Sequence, residues 1–495
     1  MDASLNQSRL KCLNNHFGIA IVVLCITSVW FVIKDLFPRI EFIQWLGRGR
    51  DSFSQSQVAS GFADLFRLTY NDPEKYNARN FSWIFETGIG PICETNIACA
   101  NTIAFTPVAL YIIAIYLILK FVGCTQLESA FISAIVLFSF PSASILGWQA
   151  TIPDRLAAFL FCISLIYIYR NLEKSNLPVY RSTLVCFTFF GLSLLSVSSK
   201  EAAWILLPIA LALPYLFIPL NFLAIIRRVL ITLPSILFMS FHISDNYIKV
   251  KRDSHLLGGD PFSNLNQLSR YIFGVKYSYT LIILIGVVNM YLLVKTCVSK
   301  QDLTIKIYRI RIFTILLIAF AGSWFIPLRT QYASPFYLWL PIGVTMIAIM
   351  ILYKFSLVQF RSSSLTEIFQ RLRRFPVWVL SSMVLATSIY TFPNNGALIL
   401  KFDRNFQTSK SELVEYRKLH PDYKISFWAP DSIFSAYQFV SSDPASHLWY
   451  FLGGSASLDE TYAAQLLDSK CGQRVEKSAV VIFNEEFKIV DICSN

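Results

Sequence analysis

The chain has 495 residues, of which 55% are hydrophobic and only 15% are charged, and its mean hydropathy is +0.51. This composition excludes a disordered chain, a nucleic-acid-binding domain and an ordinary soluble enzyme. The 43 Lys and Arg residues against 31 Asp and Glu residues give a formal net charge of +12. In so apolar a chain, the placement of that charge bears first on membrane topology.

Apolar segments near the ~20 residues that cross hydrocarbon as a helix recur along the chain, separated by short polar stretches. They predict an all-α polytopic membrane protein of about eleven spans, with boundaries uncertain by a few residues. The predicted spans are 17–33, 103–121, 129–147, 156–169, 183–197, 202–220, 229–243, 271–294, 312–326, 336–353 and 377–392.

Basic residues concentrate in the N-terminus and in alternate short connections, which together hold 18 Lys and Arg against five Asp and Glu. Basic residues in short loops resist translocation. The asymmetry therefore predicts a cytoplasmic N-terminus and, with an odd number of spans, a C-terminus on the outer side. The first apolar segment has no small-x-small cleavage site before Lys34 and Asp35, so we interpret it as a retained anchor.

Two long segments then fall on the outer side, residues 34–102 and residues 393–495. The chain divides accordingly into a transmembrane module, residues 1–392 with the outer loop 34–102, and an outer C-terminal domain. The C-terminal segment carries ten Lys and Arg against thirteen Asp and Glu, opposite to the balance of the inner connections.

The C-terminal segment also shows signals of regular structure. Capping-box spacing between a Ser and a following Glu predicts helices near 410–420 and 458–469. Short strands are indicated at 425–428, 479–483 and 487–492. We expect a small α/β extracytoplasmic domain of ~100 residues.

Four of the ten cysteines lie in these outer segments: Cys93, Cys99, Cys471 and Cys493. Their local pairing in an oxidising compartment predicts the disulfides Cys93–Cys99 and Cys471–Cys493, with free thiols or a loop-to-tail cross-pairing as the alternatives. The sequence has no CxxC or HExxH motif and only five scattered His residues, so no metal site is expected.

Three polar stretches at outer ends of predicted spans are candidates for chemistry. The first runs from Pro141 through Trp148 to Asp154 and Arg155 at the start of the next span. Its alternative interpretation is a capped, salt-bridged turn with an interfacial Trp.

The second stretch is Ser199-Lys200-Glu201, a tight outer turn between two apolar segments. A Lys on the outer side departs from the positive-inside trend, although an ion pair with the adjacent Glu would also explain it. The third is PLRTQYASP, in which Arg329 and Tyr332 can grip a phosphate through a planar guanidinium fork and a hydroxyl.

The connection 244–270 is also basic although it is predicted to lie outside. It carries Lys249, Lys251 and Arg252, with His255 nearby. Positive charge kept on that side indicates an anionic ligand, with a topology error as the alternative.

The order of the three stretches, after a long outer loop, resembles the membrane-embedded C-type glycosyltransferases, which use polyprenyl-phosphate sugars. The run from Pro141 to Asp154-Arg155 is similar to the outer turn between the third and fourth helices of the mannosyltransferase branch. The turn at Lys200 resembles its Lys-Glu turn, and Arg329…Tyr332…Pro335 resembles its late Arg…Tyr…Pro element. The family places an acidic residue or pair soon after the first helix, whereas here Asp35 and Glu41 are separated single acids.

The layout also resembles the serotype-converting glucosyltransferases that temperate phages give to enteric bacteria. This narrower resemblance implies a bacterial inner-membrane enzyme with a periplasmic C-terminus. It implies undecaprenyl-phosphate-glucose as donor and a lipid-linked O-antigen repeat as acceptor, in a lipid bilayer and without nucleic acid. The resemblance leaves open whether such a hexosyltransferase inverts or retains the anomeric configuration.

Under this interpretation, Asp35 or Glu41 is the catalytic base, although surface solvation also explains both acids, and Asp51, Asp64 and Glu86 lie further into the loop. The residues expected to bind the donor phosphate are Arg329, Tyr332, Lys200, Lys249, Lys251 and Arg252. The residues expected to support the site are Asp154, Arg155, Glu201 and His255. No cofactor is expected, because Arg and Lys supply the positive charge that a divalent metal would otherwise provide.

Two other functions stay open at this stage. An O-antigen polymerase would also be a polytopic enzyme that uses lipid-linked sugars on the outer face. A flippase or solute transporter would favour ionisable residues near the bilayer midplane and an inverted repeat. The sequence has few charges inside its apolar segments and no obvious inverted repeat, which favours an enzyme at the membrane surface.

Overall fold

The computed structural model describes a large part of the chain. The described residues are 2–35, 80–93, 96–139, 141–142, 146, 151–174, 178–217, 220–252, 259–298, 303–330, 335–359, 382–387, 389–390, 404–405, 408–409, 411–416, 418–428, 478–483 and 488–494.

Within these residues the fold is mainly α-helical. The α-helices are α1 (Asp2–Ile33), α2 (Asn80–Cys93), α3 (Ile97–Phe121), α4 (Gln126–Leu137), α5 (Ile152–Leu172), α6 (Val179–Val197), α7 (Leu206–Ala212), α8 (Phe222–Arg252), α9 (Pro261–Phe273), α10 (Tyr279–Val298), α11 (Leu303–Arg329) and α12 (Trp339–Gln359). Short 3-10 helices occur at Glu201–Ile205, Leu213–Tyr215 and Pro335–Leu338.

Six helical segments in the described part of the chain are long and apolar enough to cross a membrane: Ile97–Phe121, Ile152–Leu172, Val179–Val197, Phe222–Tyr247, Tyr279–Val298 and Ile305–Arg329. Shorter apolar helical segments accompany them at Phe17–Ile33, Gln126–Leu137, Glu201–Tyr215 and Trp339–Leu352. These helices fit the predicted all-α polytopic architecture. The segment predicted at 377–392 is described only in part, with helical residues at 382–387 and 389–390.

Prolines explain why two predicted spans are shorter or broken. The span predicted at 129–147 ends as a helix at Leu137, a few residues before Pro141. The span predicted at 202–220 divides into a 3-10 turn, the short helix α7 and a second 3-10 turn that contains Pro214. Proline removes a backbone donor and crowds the preceding turn, so a continuous α-helix is not maintained there.

The structure corrects the prediction of a basic loop at 244–270. Helix α8 continues to Arg252, so Lys249, Lys251 and Arg252 are helical rather than part of a loop. His255 lies outside the described residues. The helix α9 follows, capped by Asp260, whose carboxylate accepts hydrogen bonds from two backbone N–H groups of the first turn.

The span predicted at 271–294 corresponds to helix α10 but was placed too early, because its first three residues belong to α9. Helix α9 ends at Gly274, whose φ of 71° is left-handed and whose N–H donates to the carbonyl of Arg270 at 2.8 Å. Helix α10 starts at Tyr279. A glycine in this conformation is a frequent helix terminator, which the apolar composition alone did not reveal.

The centre of the bundle is a close contact between α3 and α12. The Tyr111 hydroxyl donates to the carbonyls of Trp339 and Leu340, at 3.3 Å each, and the rings of Tyr111 and Trp339 lie 4.9 Å apart. A β-carbon on Gly343 would collide with the Tyr111 hydroxyl, so a glycine is needed at this approach. By contrast, α6, α8 and α10 present large exposed apolar side chains, as lipid-facing helices do: Phe187, Phe241 and Val287 are each more than half exposed.

The C-terminal segment contains a three-stranded sheet in the order β1-β2-β3, with β1 at Lys424–Trp428, β2 at Ser478–Phe483 and β3 at Ile489–Ser494. Strands β1 and β2 are parallel, with Lys424 opposite Ser478, whereas β2 and β3 are antiparallel. The positions agree with the three predicted strands, and helical residues at 411–416 agree with the predicted helix 410–420. The helix predicted at 458–469 lies outside the described residues, and the division of the chain at residue 392 stays a prediction.

Candidate active site

Helix α5 connects two polar regions at opposite ends of the bundle. Its first turn contains Asp154 and Arg155, and its last turn contains Arg170. A helix of 21 residues is about 30 Å long, which equals the thickness of the hydrocarbon layer. We name the two regions the Asp154 end and the Arg170 end of the bundle.

At the Asp154 end, two stretches that are far apart in sequence meet in a buried ion pair. The Lys200 Nζ lies 3.2 Å from Asp154 Oδ2, and the two side chains are only 6% and 7% exposed. Lys200 has an extended backbone, with φ of −164°, between α6 and the 3-10 turn that begins at Glu201. This extended residue directs the chain across the start of α5. The ion pair that the structure shows for Lys200 is with Asp154, 46 positions earlier in the sequence.

Arg155 is the next residue in this cluster and is 2% exposed. Its NH1 donates to the carbonyl of Ala104 on α3 at 2.8 Å. The carboxylates of Glu86 and Asp154 both lie near enough to stabilise its positive charge. Buried guanidinium groups require such partners, because the cost of removing an ion from water is several kcal/mol.

Glu86 enters the cluster from α2, in the segment between the first two predicted spans. Glu86 is 2% exposed. The N–H of Phe81 donates to the carbonyl of Ser198 at 3.0 Å, and this hydrogen bond holds α2 beside the turn at Lys200. Apolar residues of α2, α3 and α5, among them Ile89, Ala104 and Leu156, pack together beneath it.

Sequence reasoning named Glu86 only as one of several later acids and predicted no helix at 80–93. The signal was present, because Glu86 is the only ionisable residue in the otherwise mainly apolar α2. A single acid among apolar residues is more often buried for a reason than solvated.

The third stretch, which begins at the end of α11, reaches the same end of the bundle. Arg329 is the last residue of α11 and its side chain is exposed. Beyond Tyr332, which lies outside the described residues, the ring of Tyr337 comes within 5.5 Å of the Lys200 Nζ.

A short segment before α9 fixes the end of α11. The N–H of Gly259 donates to the carbonyl of Arg329 at 3.2 Å, and the Asn264 amide donates to the carbonyls of Leu328 at 3.1 Å and Thr330 at 2.6 Å. A β-carbon on Gly259 would collide with the carbonyl of Thr330, so this approach requires glycine. The segment thereby sets the position from which the Arg329 side chain leaves the helix.

Asp35 lies at the Asp154 end but is exposed. Its carboxylate is 3.6 Å from the Lys34 Nζ, and its side chain is 70% exposed. The Asn101 amide on α3 donates to the carbonyls of Ile33 and Lys34, which holds the end of α1 there. Asn101 is about one helical turn from Ala104, the acceptor for Arg155. The structure therefore places Asp35 near the cluster but not in it, and Glu41 lies outside the described residues.

The other predicted site residues that the structure describes lie on two different elements. Glu201 is 6% exposed and lies directly after Lys200. Helix α8 starts at the Arg170 end, where the Arg227 guanidinium donates to the Ser182 hydroxyl at 2.7 Å. Its last turn, which contains Lys249, Lys251 and Arg252, therefore lies toward the opposite end.

A disulfide joins α2 to α3 next to this region. The sulfur atoms of Cys93 and Cys99 are 2.07 Å apart, and the Asn96 side chain caps α3 by accepting from the Cys99 N–H at 3.0 Å. Of the second predicted pair, Cys471 lies outside the described residues and Cys493 belongs to β3. Among the described residues, no group of three or more His, Cys, Asp or Glu is arranged to hold a metal ion.

Comparison with known proteins adds no assignment: no family model matches the chain, and no curated protein matches it. Its function must therefore be argued from its own residues and their geometry.

Proposed function

We propose that the chain is a membrane-embedded glycosyltransferase that moves a sugar, with glucose as the first candidate, from a polyprenyl-phosphate donor to a lipid-linked glycan such as O-antigen. The observation that carries this proposal is the buried cluster of Asp154, Lys200, Arg155 and Glu86 at one end of the apolar helices. The reaction would take place at the periplasmic face of a bacterial inner membrane, with the sheet of the C-terminal segment on the same side as part of a small α/β domain.

The chemistry needs a proton acceptor for the attacking hydroxyl and positive charge for the departing phosphate. The buried cluster is close to electrically balanced, since it contains the acids Asp154 and Glu86 and the cations Arg155 and Lys200. It therefore serves to position groups rather than to bind a phosphate by itself. The exposed guanidinium of Arg329 is the better phosphate ligand, because its planar fork matches two phosphate oxygens.

Three carboxylates are candidates for the catalytic base. Asp35 is exposed at the end of α1, and Glu41 follows it in sequence. Glu86 has the stronger geometric support, because it is 2% exposed and lies near Arg155 in the buried cluster.

An O-antigen polymerase remains the second candidate enzyme, since it would use the same outer face and a lipid-linked substrate. A transporter has less support. In the described spans, the Asp, Glu, Lys and Arg residues lie in the first or last turns of the helices, or within about two turns of them, rather than near the middle. An alternating-access site is usually built from polar groups near the midplane.

The proposal is tested with membranes that contain the full chain and a radiolabelled polyprenyl-phosphate sugar. The variants are Asp35→Asn, Glu41→Gln and Glu86→Gln, each of which keeps the shape of the side chain and removes its basicity. We expect at least one of them to lower the transfer rate by about 100- to 10,000-fold while donor binding is retained.

Arg329→Ala should lower transfer by about 100-fold or more and weaken donor binding, and Arg329→Lys should restore only part of it. Arg181→Gln, an exposed basic residue at the Arg170 end, is the matched control and should leave the rate unchanged. Wild-type rates in all three acid variants, together with an unaffected Arg329→Ala, would reject the proposed active site.

A further inference from the structure

A cavity at the Arg170 end is lined almost entirely by apolar side chains. It lies between α3, α5, α11 and α12 and has a volume of about 100 Å³. Residues from each of the four helices line it, among them Ile118, Leu165, Ile315 and Ile347. Tyr169 and Arg170 contribute to its lining at one end, and Tyr111 contributes at the other.

The length of this cavity corresponds to one leaflet of a bilayer. On α3 its lining runs from Tyr111 to Val122, and on α5 from Phe161 to Arg170. At 1.5 Å per residue these segments are about 14 to 16 Å long, half of the ~30 Å hydrocarbon layer. The cavity stops at the central contact of Tyr111 with the backbone of α12, at residues Trp339 and Leu340. It therefore fits an alkyl chain that enters from one side of the membrane.

Basic side chains lie near the end of the cavity that Arg170 lines, which we call its mouth. The exposed Arg170 guanidinium lies 5.7 Å from the ring of Phe121, which also lines the cavity. The Arg311 NH1 donates to the Tyr169 hydroxyl at 3.3 Å and lies 3.3 Å from the Glu173 carboxylate. Arg170 is therefore an exposed guanidinium at the mouth, whereas Arg311 is 6% exposed and is held beside Tyr169 by its own hydrogen bonds.

A further arginine extends this charge behind the mouth. Arg228 and Arg311 lie 5.7 Å and 4.1 Å from the same ring, that of Phe217. The positive charges of Arg228 and Arg311 are close enough to repel each other. Glu173 forms an ion pair with Arg311. The local charge favours an anion, and the apolar cavity behind it favours a hydrocarbon chain.

We propose that this cavity binds one acyl chain of an anionic phospholipid, with Arg170 at its phosphate. The phosphate diester supplies the negative charge that the mouth attracts, and guanidinium groups bind phosphate oxygens through paired hydrogen bonds. Arg170 lies about 24 Å from Asp154 along α5, and the proposal does not rest on glycosyl transfer.

The test uses the purified full chain in detergent, titrated with phosphatidylglycerol or with phosphatidylethanolamine that carries the same acyl chains, and native mass spectrometry to count bound lipids. We expect a saturable first site that prefers phosphatidylglycerol by about tenfold, as expected for one charge-assisted contact. Arg170→Gln should remove that preference, and Arg170→Lys should keep part of it.

Two further experiments distinguish binding of the acyl chain from binding of the lipid headgroup. Ala319→Leu narrows the apolar cavity without changing charge and should also weaken phosphatidylglycerol binding by several-fold. Inorganic phosphate at millimolar concentration should not displace the lipid, because it lacks the alkyl chain. Arg181→Gln, which removes an exposed charge at the same end but away from the cavity, should bind lipid as the wild type does.

Equal binding of the two lipids by the wild-type protein would overturn the proposal. So would an equal loss in Arg170→Gln and Arg181→Gln, which would indicate a general attraction to the basic surface, or displacement by inorganic phosphate, which would indicate an anion site without a lipid chain. If Ala319→Leu fails to fold, the Arg170 and Arg181 variants, both at exposed positions, still decide the question.

Discussion

Buried charges are stabilised by different partners at the Asp154 end and at the Arg170 end. At the Asp154 end, carboxylates and cations alternate, and Lys200 and Asp154 pair inside the protein. At the Arg170 end, arginines are stabilised mainly by carbonyl oxygens and aromatic rings, as in the bond from Arg228 NH1 to the carbonyl of Phe217 at 2.6 Å. A balanced cluster holds its own members in place, whereas an excess of one sign attracts a ligand of the other. The predictions below test this difference, in order of decreasing effect.

The largest effect should come from breaking the ion pair at the Asp154 end. Asp154→Leu or Lys200→Met alone removes one partner of the buried pair, and each should destabilise the protein by about 3 to 5 kcal/mol. The double variant should recover much of that loss, because it removes both charges together. Thermal unfolding in detergent measures the three variants. A double variant as unstable as the sum of its two single variants would show that the charges are not coupled.

Arg311→Met should have a smaller effect on stability. It removes the donation from Nε to the carbonyl of Leu216 at 2.9 Å and the contacts with Tyr169 and Glu173, but it also relieves the repulsion from Arg228. We expect a loss of about 1 to 3 kcal/mol, the range for hydrogen bonds from a charged group. The same unfolding assay applies, with the exposed Arg170→Met as a control that should change stability by less than about 0.5 kcal/mol. A loss as large as that of Asp154→Leu would contradict the proposed difference between the ends.

Asn264→Ala should cost about 1 to 3 kcal/mol by leaving carbonyls at the end of α11 without their donor. Its more specific consequence is local, since the amide holds the residues on either side of Arg329. Hydrogen exchange at 328–330 should accelerate while exchange in α5 stays unchanged. Uniform acceleration along both helices would show a global loss of stability instead.

The smallest effect concerns a thiol at the Arg170 end and does not involve stability. Burial raises the pKa of Cys124 to about 11, although the charges of Lys354 and Lys120 oppose this shift and that of Glu128 adds to it. Only the thiolate reacts with alkylating reagents, so its fraction at pH 8 is about one in a thousand and should rise tenfold for each pH unit up to about pH 10. Alkylation measured by mass spectrometry should therefore be slow at pH 8 and increase steeply with pH. Labelling at pH 8 as fast as that of the exposed Cys297 would contradict a buried thiol.

Sequence patterns predicted the helices well where the signal was long and apolar, as in α3, α5, α6 and α10. They failed where short signals interrupt an apolar run. The left-handed Gly274 divides a segment that hydropathy treats as continuous, and Pro141 follows the end of α4 within a predicted span. Such residues act through the backbone conformation of one or two positions, to which an average over a 20-residue window is insensitive.

The candidate site shows the same limit. The polar stretches containing Asp154, Lys200 and Arg329 were identified from their positions at the ends of apolar segments, because a charged side chain is costly within hydrocarbon. The partner of each residue was not identified. Lys200 was expected to pair with its neighbour Glu201 or to bind phosphate, and Glu86 received no role.

The sequence by itself determined that the chain is apolar, mainly helical and polar at the ends of its helices, because hydrophobic burial and helix length depend on local composition. Only the tertiary structure decided that Lys200 meets Asp154 across 46 positions of sequence, and that Glu86 joins Arg155. It also decided that four helices enclose an apolar cavity behind Arg170. These contacts depend on how helix faces pack and on the cost of burying a charge without a partner, and both are properties of the assembled bundle rather than of any one segment.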